Sequence, residues 1–74
     1  MGKEKIEKET TKVLQRIVKK RKELGISQMD LAVKLNLTNN GYFKVETGKT
    51  KLSVFRLLEI AKALGVSACC FFED

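Results

Sequence analysis

The chain reads as an all-α protein, a compact five-helix domain, and three observations predict it. Apolar residues recur at spacings of three and four from Val13 to Leu64, the repeat that lines one face of a helix. A hydroxyl residue stands before the apolar runs at Ser27, Thr38, Ser53 and Ser67, where a side-chain oxygen can take a free N–H of a first helical turn. Glycines follow at Gly25, Gly48 and Gly65, the residue best suited to the left-handed turn that ends a helix.

Helix 1 runs from near Glu4 or Thr10 to Leu24, with Val13, Leu14, Ile17 and Leu24 on its apolar side. Residues 1–12 are thus a basic N-terminal extension or the start of helix 1, and residues 13–74 form the domain. Helix 2 opens at Ser27 and Gln28 and buries Leu31, Ala32 and Leu35. Asn36 tolerates a left-handed conformation and turns the chain, and Leu37 plugs the corner. Thr38 caps helix 3, which turns Tyr42 and Val45 inward and Asn39, Asn40, Phe43 and Lys44 outward. Two short amphipathic helices joined in this way, within residues 26–49, make a helix-turn-helix, and so steep a crossing needs the small Ala32 at its contact. Ser53 caps a fourth helix whose Val54, Leu57, Leu58, Ala61 and Leu64 face inward. A short fifth helix follows Ser67. Its Phe71 and Phe72 are too apolar for a free C-terminus, so at least one seals the core and the other joins a dimer contact.

Seventy-four residues make one domain near the lower size limit for an independent core, where a partner or tight helix packing adds stability. The apolar fraction of 43% suffices for that core. No apolar run approaches the roughly 18 residues that span a membrane, and the basic start lacks the apolar region of a signal peptide. A soluble, cytoplasmic chain is expected. With no proline, repeat or low-complexity linker, no second, ligand-sensing domain is expected.

The charge is uneven. Residues 1–22 hold nine Lys or Arg against three Glu, a net of +6, whereas residues 23–74 balance six basic against six acidic side chains. A basic segment attracts nucleic-acid phosphates through counterion release; equally, Glu4, Glu7 and Glu9 pair with nearby lysines on a solvated face. Lys44, Lys49 and Lys51 cluster on the side that would face a duplex, and Glu73 and Asp74 lie at the far end. The composition argues against an enzyme, having no His, no nucleophile with a base and no phosphate-cradling glycine loop. Cys69 and Cys70 are two ligands where zinc wants four, and neighbours on a helix point apart. They read as small apolar residues of the last helix, with thiol sensing as the alternative, and no metal or cofactor is expected.

Across residues 13–72 the chain resembles the Cro and phage-repressor helix-turn-helix family, the xenobiotic-response-element type with a lambda-repressor-like fold. Gln28 at the start of helix 2, Ala32 four residues on, the Glu46-Thr47-Gly48-Lys49 end of helix 3 and the block Ala63-Leu64-Gly65-Val66-Ser67 carry the resemblance. It implies a prokaryotic, sequence-specific transcriptional regulator, a repressor that binds a palindromic operator in double-stranded DNA as a homodimer, with half-sites about one helical turn apart. The start of helix 3 would enter the major groove. Asn39 and Asn40 would then read adenine, Lys44 guanine or a phosphate, and Phe43 a thymine methyl. The alternative for Asn39 is a helix-capping role without a base contact. Ser27, Gln28, Thr47, Lys49, Lys51 and the backbone near Phe55 match phosphate-contacting positions. Arg21 and Glu46 match a salt bridge tying helix 1 to the end of helix 3, against the simpler reading of Arg21 as one of four consecutive basic residues facing water. The chain departs from the family in Gly41 inside the recognition helix, in Phe43 where a polar residue is usual, and in Asn36 for glycine. Phe43, Phe71 and Phe72 also fit a protein-binding role, such as that of an antitoxin for its toxin.

Overall fold

The computed structural model describes residues 2–73, so Met1, and Asp74 of the acidic C-terminal pair, lie outside the described residues. Four α-helices follow one another: α1 (Lys3–Glu23), α2 (Gln28–Lys34), α3 (Asn39–Glu46) and α4 (Val54–Leu64). No strand occurs among the described residues. The expected fifth helix is a single 3-10 turn, Ala68–Phe71, closed by the N–H groups of Cys70 and Phe72 on the carbonyls of Ser67 and Cys69. The Ser67 side chain makes no cap bond and sits 3.1 Å from Cys69 Sγ instead.

Three helices end by the same device. The N–H just past the left-handed residue reaches back five positions, from Ile26 to Arg21, from Leu37 to Ala32 and from Val66 to Ala61. Each ending needs one left-handed residue, supplied by Gly25, by Asn36 at φ 59° and by Gly65. Leu24, expected on the apolar side of helix 1, is instead exposed. The helix ends before it, and the chain reverses so that Ile26 packs on the core in its place.

The core gathers Val13, Leu14 and Ile17 from α1, Leu31, Ala32 and Leu35 around α2, Tyr42 and Val45 from α3, and Leu57, Ile60, Ala61 and Leu64 from α4. Fully buried Phe71 seals it from the 3-10 turn, which packs on both α1 and α4. Arg16 Nη1 holds that turn by donating to the Phe71 carbonyl at 3.1 Å. Two residues assigned inward on α4 face out: Val54 is 73% exposed and Leu58 54%. The buried stripe is 57-60-61-64, which brings in Ile60 and leaves Val54, Phe55 and Leu58 together on the next stripe around the helix.

Candidate nucleic-acid interface

The two motif helices are fixed at their starts by hydroxyl caps. Ser27 Oγ accepts from the Asp30 N–H at 3.0 Å while Asp30 Oδ2 accepts from the Ser27 N–H at 3.3 Å, a reciprocal pair that locks the entry to α2. Thr38 Oγ1 accepts from the Gly41 N–H at 2.9 Å, so Thr38, not Asn39, caps α3. A Cβ on Gly41 would lie 3.0 Å from that same Thr38 oxygen. The glycine that departs from the family pattern therefore leaves room for the cap of its own helix.

With Tyr42 and Val45 held in the core, α3 turns Asn39, Asn40, Phe43 and Lys44 to solvent. The spacing of one and four puts them on one face, free of acidic side chains. The far end of the helix is bolted to α1. Arg21 Nε and Nη2 donate to Glu46 Oε2 and Oε1 at 3.0 and 3.1 Å, and Arg21 Nη1 donates to the Ile26 carbonyl at 2.9 Å. The two side chains are only 7% and 6% exposed, so Arg21 is set apart from its basic neighbours and does not face water. Gln28 joins them, its Nε2 donating to Glu46 Oε1 at 2.9 Å, and one carboxylate thus ties α1, α2 and α3 together.

Burial pushes the Glu46 carboxyl upward, but the bonds from Arg21 and Gln28, together with the closeness of the Tyr42 hydroxyl, outweigh it, and its pKa falls below the ordinary value. Burial first, and the Glu46 carboxylate second, hold the Tyr42 phenol protonated far above its usual range. That hydroxyl is fully enclosed and lies close enough to favour the carboxylate's charge, although its geometry falls short of a hydrogen bond.

Beside this network a cup of about 550 Å³ brings Ser27, Gln28 and Asn39 together and adds Lys22 and Met29, two residues the sequence reading did not single out. In sequence Lys22 is the last of a basic run, and only the turn at Gly25 carries it back over the start of α2. After α3, Lys49 and Lys51 are exposed on a loop pinned by the Thr50 N–H on the Lys44 carbonyl at 3.0 Å. Thr47 is exposed, but its hydroxyl proton goes to the Phe43 carbonyl at 2.8 Å, which leaves an acceptor and no donor for a phosphate. Phe55 lies in the first turn of α4, which Ser53 caps on Arg56, and its ring is exposed. Of the pair expected at a dimer contact, Phe71 has no surface left to offer, while Phe72 is exposed. Cys69 is exposed and Cys70 half-buried, both free thiols. Among the described residues no three His, Cys, Asp or Glu side chains gather as metal ligands, and no helix is long and apolar enough to cross a membrane.

The model of a helix-turn-helix family matches residues 17–69. The chain is 37% identical over 60 residues to a protein of Rhodospirillum rubrum described as an uncharacterized transcriptional regulator in the ATPase CF(0) region. That alignment takes in 81% of this chain and 56% of the relative, so the chain spans little more than half of that protein's length. No solved structure matches.

Proposed function

Because the chain belongs to the helix-turn-helix family, in its Cro and phage-repressor branch, we infer that it is a DNA-binding transcriptional regulator, and we propose that it is a repressor reading a palindromic operator as a homodimer in a prokaryotic cytoplasm. The observation that carries this reading is the outer face of α3, where Asn39, Asn40, Phe43 and Lys44 stand together on a helix capped at one end and bolted to α1 at the other. A reading helix has to be rigid, since each base contact is lost when its donor and acceptor drift apart.

The first turn of α3 enters the major groove. The amides of Asn39 and Asn40 offer a donor and an acceptor side by side, as the edge of adenine requires; Lys44 reaches guanine or the backbone, and Phe43 meets a thymine methyl. Lys49 and Lys51, the Ser27 hydroxyl, the second amide N–H of Gln28 and the backbone at Phe55 hold phosphates and set the register. Thr47 joins them only by giving up its bond to Phe43. In the dimer, the contact falls to exposed apolar side chains: Phe72, and Val54, Phe55 and Leu58 on α4. A protein-binding role, as for an antitoxin and its toxin, is the second reading, and the partly exposed ring of Phe43 favours it.

The test is selection from a random duplex pool with the wild-type protein and with Asn39→Ala. An inverted repeat enriched by the wild type, and recognised less strictly by the variant, supports the regulator. A protein that enriches nothing and binds all duplexes alike points to the second reading.

A further inference from the structure

We propose that the cup between the end of α1, the start of α2 and the start of α3 seats one phosphate diester of the DNA strand on Lys22, and that Glu46 keeps the charge of Arg21 out of this contact. The proposal rests on the DNA-binding reading and adds to it a residue and a division of labour. Two cations line the cup, Arg21 and Lys22. Arg21 is spent, with two donors on Glu46 and a third on the Ile26 carbonyl, and its side chain is enclosed. Lys22 is exposed and makes no ion pair among the described residues. One positive charge is then left for an anion, because Glu46 cancels Arg21.

Two neutral donors complete the seat. Ser27 Oγ receives the Asp30 N–H, so its own proton is free to point outward, and Gln28 uses one amide N–H on Glu46 and keeps the second. Asn39 lines the same cup from the reading helix. A phosphate held here fixes how deeply the start of α3 enters the groove, which couples a contact blind to sequence with the one that reads it.

The experiment measures binding against salt concentration for a selected duplex and a scrambled one, using the wild type, Lys22→Ala and Glu46→Gln. Neutralising one phosphate contributes about 0.9 to the log–log salt slope. Lys22→Ala is expected to flatten the slope by about that amount, to weaken both duplexes by the same factor, and to leave the thermal midpoint unchanged, since Lys22 is exposed. Glu46→Gln releases the charge of Arg21 and is expected to steepen the slope by a similar step, with less discrimination between the duplexes. An unaltered slope for folded Lys22→Ala overturns the seat, whatever Glu46→Gln does. A Glu46→Gln slope no steeper than wild type in a folded protein overturns the role given to Glu46. A wild type that binds both duplexes equally ends the regulator reading, yet the slope still reports on the seat.

Discussion

Glu46 receives hydrogen bonds from two helices while sitting at the end of a third, and the consequences of losing its charge follow from that position. Its pKa is depressed in the folded chain, so in acid the unfolded state takes up the proton first and stability is lost. The contribution is complete above the ordinary carboxylate pKa of 4.5 and disappears as pH falls through the lower folded value. Urea midpoints between pH 7 and pH 3 are expected to fall more steeply for wild type than for Glu46→Gln; parallel curves would remove Glu46 from acid unfolding. Removing the other partner is harsher. Arg21→Met leaves an enclosed carboxylate unpaired and is expected to cost about 3–5 kcal/mol, a large part of the stability of a small domain. In sequence the pair is visible only through family resemblance, because nothing distinguishes Arg21 from the lysines on either side. The parts of Gln28 and Tyr42 in the network have no sequence signal at all, since they depend on how α2 and α3 cross.

Single helices expose a different limit. For α4, both 54-57-58-61-64 and 57-60-61-64 satisfy the helical repeat, and the rotation is settled by where α1, α2 and the 3-10 turn press on it. Caps are read more easily, because a hydroxyl before an apolar run acts on its own first turn, and Ser27, Thr38 and Ser53 all do so. Ser67, by contrast, makes no such bond, and Ala68–Phe71 closes only as a 3-10 turn. Gly41 shows how cap and propensity interfere within α3. Alanine in place of glycine normally steadies a helix by about 0.5–1 kcal/mol, but here the new Cβ would crowd the capping oxygen of Thr38 at 3.0 Å. Gly41→Ala alone is therefore expected to gain less than that range. Thr38→Ala is expected to lose about 1 kcal/mol. Once the cap is gone the glycine has no reason to remain, so Gly41→Ala should recover its full gain in the Thr38→Ala background. Denaturant midpoints of the four proteins give the coupling; a gain at Gly41 that is the same in both backgrounds would separate it from the cap.

Across the whole molecule, charge and apolar surface pull two copies of the chain in opposite directions. The net charge of +6 draws a duplex and repels a second copy, and dissolved salt screens both effects. The sign of the charge and its concentration in residues 1–22 are legible from the sequence, but the apolar surface is not. The sequence leaves open which of Phe71 and Phe72 seals the core, and Val54 and Leu58 read as core and are surface, because single-chain periodicity does not distinguish a face that packs inside from one that packs on a partner. If protomers meet through the α4 face, their association is expected to strengthen as salt rises from low concentration, while DNA affinity falls over the same range. Sedimentation equilibrium at two salt concentrations measures the first and titration of a selected duplex the second. Leu58→Asp adds a charge to an exposed position and is expected to abolish the association with little change in the thermal midpoint. The same variant should still bind an isolated half-site, since that contact belongs to α3 and the cup. Association that survives Leu58→Asp but fails in Phe72→Asp would move the contact to the C-terminal turn, and a wild type that stays monomeric both free and on the duplex would end the homodimer.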